Sequence, residues 1–248
     1  MVHLQRCSRN NCYHLVDYNS LALIILSILF INIIKVHLAG CVCPNANAIK
    51  PCICDEEGLQ CLKLNSTGDL ERVFSAQSTG RKAIRRVWIL QTNLSELSER
   101  AFGDYIMRDL YLDLNQIRSI KRNAFGEAAR TLQSLSLTRN QLASFPFEDL
   151  KSMKRLKQLG LGHNKLTKVS SYELPVSDVL ELLDLSHNLI NLIEPFSFVD
   201  LHEVSLIDLS RNKLETIQSN SLLVKSSSRH LAVSVTAPYQ WQKSEKID

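Results

Sequence analysis

No cysteine lies beyond residue 61, and only eight glycines are spread through 248 residues. Phosphate-cradling loops depend on glycine, and no G-x-x-x-x-G-K-[ST] is present. Neither G-x-S-x-G nor H-E-x-x-H occurs, so the chain encodes no nucleophile elbow and no helix-borne zinc pair. An excess of either charge is missing as well. Lys and Arg number 29 against 25 Asp and Glu, and leaving out Arg6, Arg9, Lys35 and Asp17 near the start leaves 26 against 24. Such a balance supplies no basic face for a phosphate backbone, which argues against nucleic acid as a partner. No enzyme activity, cofactor or metal is expected.

What is abundant is leucine in register. The pattern L-x-x-L-x-L-x-x-N-x-L returns six times, its ninth position falling on Thr92, Asn115, Asn140, Asn164, Asn188 and Asn212, at spacings of 23, 25, 24, 24 and 24 residues. Position 4 reads Val87, Leu110, Leu135, Leu159, Leu183 and Ile207, and position 6 reads Ile89, Leu112, Leu137, Leu161, Leu185 and Leu209. Side chains alternate across a strand, so these two columns face inward while positions 3, 5 and 7 face out. Positions 1, 11, 14 and 19 extend the core, and no apolar column contains a charge. A constant period of this length predicts an α/β solenoid, a leucine-rich-repeat horseshoe with a parallel sheet on its concave face. The ninth-position amide is both donor and acceptor and is expected to satisfy backbone groups in the turn after each strand. Thr92 makes fewer such bonds, so the first coil should be the weakest.

Four segments follow. Residues 1–41 read as a secretory signal: the apolar run Leu21 to Ile34 is 14 residues long, short of the about 20 that span a bilayer. Cleavage is expected near Ala39-Gly40-Cys41; an uncleaved membrane anchor is the alternative. Residues 42–83 form a cap with Cys43, Cys52, Cys54 and Cys61 spaced C-x8-C-x-C-x6-C. Disulfides fit a secreted chain, whereas the one-residue gap between Cys52 and Cys54 departs from a zinc knuckle. Residues 84–224 carry six repeats. Counting 24 residues past Asn212 reaches Thr236, which puts Leu231 and Val233 on positions 4 and 6 of a degenerate seventh repeat within 225–248. The other reading of that segment, with Ser226-Ser227-Ser228 and 240–248, is a disordered tail. Asn65 and Asn93 head N-glycosylation triplets.

Positions 3, 5, 7 and 8 line the concave face, where solenoids bind partners. Trp88 and Tyr111 occupy position 5 of adjacent strands, about 4.8 Å apart, so their rings should touch. With Leu90, Asp109 and Asp113 they form the candidate partner-binding patch. Position 8 adds Arg139, His163, His187 and Arg211, a basic column expected to gain charge below about pH 6.5. As a metal pair, His163 and His187 fall short of the three ligands zinc usually takes.

The cap segments Cys43-Pro44, Pro51-Cys52-Ile53-Cys54 and Cys61, then Val73-Phe74 and the Ala-Phe-Gly triplets at 101 and 124, resemble the extracellular leucine-rich-repeat family with a cysteine-rich N-terminal cap, over residues 43–222. Secreted arthropod members are the most similar. That resemblance implies the pairs Cys43 to Cys54 and Cys52 to Cys61, and a binding or stabilising role rather than catalysis. A cysteine-rich C-terminal cap, common in the family, is missing. The expected function is a secreted protein-binding module acting through its concave face on a cell-surface ligand or a secreted catalytic subunit. The alternatives are an accessory non-catalytic subunit of a secreted enzyme, and a structural or adhesion protein that self-associates through its open C-terminal edge.

Overall fold

The computed structural model describes residues 43–75, 82–227 and 231–235, with the backbone of the short strands Cys7–Ser8, Asn11–Cys12 and Gln240–Trp241. The expected leader and its cleavage site fall in a separate unit, Met1–Gly40, and at its boundary. Apart from an antiparallel pairing of Cys7–Ser8 with Asn11–Cys12, they lie outside the described residues. No helix among the described residues is long and apolar enough to cross a membrane.

In the unit Cys41–Asp248, nine strands build one sheet. β1 (Ile53–Cys54) and β2 (Leu59–Cys61) form an antiparallel hairpin. β3 (Ala83–Ile89), β4 (Ile106–Tyr111), β5 (Ser134–Ser136), β6 (Gln158–Gly160), β7 (Leu182–Asp184), β8 (Leu206–Asp208) and β9 (Ala232–Ser234) then follow in parallel and in chain order. Position 4 pairs with position 4 throughout: Val87 with Leu110, Leu110 with Leu135, Leu135 with Leu159, Leu159 with Leu183, and Leu183 with Ile207. Columns 4 and 6 are at most 1% exposed over all six coils. Each such side chain contributes roughly 1.5–3 kcal/mol before chain entropy is subtracted, and no coil can realise that gain without its neighbours. Column 19 is less regular. Phe102, Phe125, Leu174 and Phe198 are buried, but Leu150 and Leu222 are only partly so. In the third coil a 3-10 helix, Phe147–Ser152, brings Phe147 into the core, edge-on to Phe145 at 5.1 Å.

The buried amides tie coils together as well as closing their own turns. Asn140 Nδ2 donates to Leu137 O at 3.0 Å and to Leu112 O of the preceding coil at 2.8 Å, while its Oδ1 accepts the Ile117 N–H at 3.0 Å. Asn164, Asn188 and Asn212 repeat this arrangement. The first rung differs. Asn115 Oδ1 accepts both the N–H and the hydroxyl of Thr92, each at 2.7 Å, and Thr92 Oγ1 takes the Leu94 N–H at a long 3.4 Å. Thr92 therefore relays a contact that an amide makes directly elsewhere.

At the N-terminal end, disulfides join Cys43 to Cys54 and Cys52 to Cys61, the pairs that the family resemblance implies. Helix α1 (Thr67–Ser75) covers the first coil with Leu70, Val73 and Phe74. Its start is capped by Ser66, whose Oγ accepts the Asp69 N–H, while Asp69 Oδ2 accepts the Asn65 N–H, both at 3.1 Å. Phe74 meets Phe102 at 5.1 Å and Tyr105 at 5.4 Å, both edge-on. Gly58, at φ +150°, lets the hairpin close on β3; a Cβ there would stand 2.1 Å from Arg86 O.

At the other end β9 corrects the predicted register. Ile207 pairs with Val233 and Asp208 with Ser234, so the inward positions belong to Val233 and Val235, both partly buried against the core, while Leu231 lies 38% exposed outside it. The longer return passes through Ser226 and Ser227, which are bound back to the sixth coil: Ser226 Oγ donates to Val204 O at 2.7 Å and the Ser227 N–H to His202 O at 2.6 Å.

Candidate functional site

A cleft of about 410 Å³ opens on the concave face where the first four coils meet. Trp88 and Tyr111 belong to its lining. Their rings lie 6.0 Å apart at 11°, stacked because the strands pair Trp88 directly with Tyr111. Arg86, Arg108, Lys157, Gln133, Ser134 and Gln158 also line the cleft. Asp109, 5% exposed, anchors the arginines. It accepts Arg108 Nε at 3.0 and 3.1 Å and Arg108 Nη2 at 2.7 Å, and lies 3.5 Å from Arg86 Nε. The hydrogen bond to Asp109 raises the Arg108 pKa further, against an opposing effect of burial. Arg86 also reaches Glu57 of the cap at 3.3 Å, and Lys157 pairs with Glu181 at 2.5 Å.

Of the predicted patch, Trp88, Tyr111 and Asp109 line this cleft, and Leu90 lies half-buried two residues on from Trp88. Asp113 has a structural task. Its carboxylate accepts the Ser136 hydroxyl and, at 2.8 Å, the Thr138 N–H, stitching the second coil to the third; burial raises its pKa while the two bonds pull it down. Asp184 and Asp208 likewise accept the N–H groups of Ser186 and Ser210 at 2.8 Å. Position 2 was missed by the sequence reading. Arg108, inside β4, and Gln133 and Lys157, each just before its strand, all occupy it and all line the cleft. Three long polar side chains in consecutive repeats were the available signal.

Position 8 is set by the backbone. Gln91, Leu114, Arg139, His163, His187 and Arg211 all take left-handed conformations, φ +51° to +59°. Such a conformation costs on the order of 1–3 kcal/mol per residue and persists only where the surroundings fix it, as the hydrogen bonds from the Leu114, Arg139, His163 and His187 N–H groups to the next coil do here. His163 and His187 stack at 3.9 Å and 11°. Burial lowers the His163 pKa, the charges of His187 and Arg139 add to that, and Asp184 opposes it. His163 therefore gains its proton later on acidification than expected of an ordinary histidine. Among the described residues no group of three or more His, Cys, Asp or Glu is placed to hold a metal. Asn65 and Asn93 are both exposed, and the Asn93 N–H donates to Leu64 O at 3.2 Å, which sets the two triplets on neighbouring turns.

The leucine rich repeat family model matches residues 178–234. A curated relative, the Oplophorus-luciferin 2-monooxygenase non-catalytic subunit of Oplophorus gracilirostris, is 30% identical over 129 residues. That match covers 49% of this chain and 36% of the relative, so this chain spans about a third of the relative's length. Among solved structures, a chain in an octameric complex of Latrophilin 3 (Lec, Olf), Unc5D (Ig, Ig2, TSP1) and FLRT2 (LRR) is 24% identical, with a TM-score of 0.47, over 63% of this chain and 46% of that one.

Proposed function

We propose that this chain, a leucine-rich-repeat protein, is a non-catalytic extracellular binding module that takes hold of a protein partner with the N-terminal half of its concave face. The observation that carries the reading is the cleft itself, about 410 Å³, whose lining brings stacked Trp88 and Tyr111 together with Arg108 and Lys157. Tryptophan, tyrosine and arginine are the side chains most enriched at binding hot spots. The non-catalytic role accords with the named relative, itself described as a non-catalytic subunit. Two disulfides suit an oxidising compartment, and glycans on Asn65 and Asn93 would stand on turns outside the concave strands. Secretion after removal of residues 1–41 completes this reading.

The same relative favours a second reading, in which the partner is the catalytic chain of a secreted enzyme and this protein stabilises it. One experiment addresses both. The full chain, secreted from animal cells into medium conditioned by its source tissue, is captured and its intact native mass measured, beside Trp88→Ala. The expected result is a complex of fixed stoichiometry whose recovery falls about tenfold or more with Trp88→Ala. An enzymatically active partner would select the accessory-subunit reading. A mass that is only a multiple of the chain's own would contradict both and support self-association.

A further inference from the structure

The concave face carries two different surfaces side by side, and one of them continues into the disulfide cap. Ile53 pairs with Gln60, Gln60 with Trp88, and Trp88 with Tyr111, so the position 5 row extends onto the hairpin. Cys61 pairs with Ile89, which sets Leu62 beside Leu90 one residue further on. Ile53 is 68% exposed, Leu62 53% and Leu114 43%, so all three are large apolar side chains left out of the core. Two residues back along the strands from Trp88 lies Arg86, and three residues back from the position 5 row, a step of about 10 Å, lie Arg108 and Lys157 with the neutral Gln133 on the strand between them. A chain crossing the strands at the N-terminal end touches both surfaces.

We propose that this face receives an extended acidic segment of the protein partner, with apolar side chains laid on Ile53, Leu62, Trp88 and Leu90 and carboxylates set over Arg108 and Lys157. The inference rests on the concave face being the binding face, and it makes the cap part of the recognition surface. Charge complementarity selects this occupant. The cleft is lined by three cations and one anion, and that anion, Asp109, is buried between two arginines, where it orients them rather than facing a ligand. Glu57 and Glu181 hold Arg86 and Lys157 from outside the cleft, their side chains 70% and 47% exposed. Exposed pairs of that kind contribute little, so an incoming carboxylate exchanges with them at small loss. A sugar ring fits less well, because the two aromatic rings turn their faces to one another.

A random twelve-residue peptide library panned against the full chain tests the proposal. Enriched peptides should carry net negative charge with apolar residues beside the acidic ones. The tightest should lose about tenfold or more in affinity when its acidic residues become glutamine, and on Lys157→Glu or Ile53→Ser. Both positions are exposed, and an unchanged melting temperature confirms that each variant is folded. Neutral or basic enriched peptides, no enrichment, or indifference to both substitutions would overturn the inference. A natural partner still captured and still sensitive to Trp88→Ala would show that the concave-face reading survives while the acidic segment does not.

Discussion

The two ends of the solenoid are finished differently. At the N-terminal end Leu59, Cys61, Leu64 and Leu70 are at most 1% exposed beneath two disulfides, a helix and a hairpin. At the other end Leu214 and Ile217 are 6% and 7% exposed, and the described cover is the three-residue strand β9 with Val235 just after it, Val233 and Val235 being only partly buried, and the strand Gln240–Trp241 paired with Thr216–Ile217. In a stack whose stability is a sum over neighbours, the end coils limit the whole. A cross-linked end can display apolar side chains such as Ile53 and Leu62 without needing them for its own core. The end closed by β9 has no disulfide among the described residues to hold it.

Removing that asymmetry should have the largest effect. Cys52→Ala with Cys61→Ala opens the bridge nearest the core and is expected to destabilise by about 2–5 kcal/mol, with secretion falling accordingly; a loss no greater than that of a β9 substitution would break the comparison. Asn164→Leu comes next. It strands the Leu142 N–H and the carbonyls of Leu137 and Leu161, and should cost about 3 kcal/mol in urea unfolding, against about 1 kcal/mol for Thr92→Val at the relay rung. Equal shifts would mean that the rungs are equivalent after all. Val233→Asp should then cost about 1–2 kcal/mol, and Leu231→Asp almost nothing. The reverse order would restore the register that the sequence spacing suggests.

The smallest effect concerns acid. His163 binds its proton less readily in the folded chain than in the unfolded one. Its stabilising contribution is therefore complete above the ordinary histidine pKa and is lost as pH falls through the lower, folded value. Urea midpoints measured at pH 7 and pH 5 should fall more for the natural chain than for His163→Gln, whose new side chain matches Gln91 at the same left-handed position of the first coil. Parallel falls would show that the stacked histidines carry no such penalty.

Much of this was legible because a leucine-rich repeat writes its geometry into every coil. The inward columns, the amide ladder and the Trp88–Tyr111 stack all follow from one period and the alternation of a strand. What escaped notice lies where the period is broken or where side-chain length matters more than position. The return from Leu222 to β9 is two residues longer than the repeat, which moved the inward positions from Leu231 to Val233 and Val235. Phe147 entered the core on the 3-10 helix Phe147–Ser152, which the repeat period does not mark. Arg108 and Lys157 sit at a position with no fixed facing, and only their reach brings them to the cleft. Asp113 looked like a surface carboxylate until Ser136 and Thr138 were found to claim it.

The most direct measurement places a photo-crosslinking side chain at position 88 in one sample and at position 206 in another, on the same concave face but toward opposite ends. Irradiation in conditioned medium should join the partner to the chain carrying the label at 88 and leave the other uncoupled. Coupling from 206 alone, or from neither position while a partner is still captured, would contradict binding by the N-terminal half of the concave face.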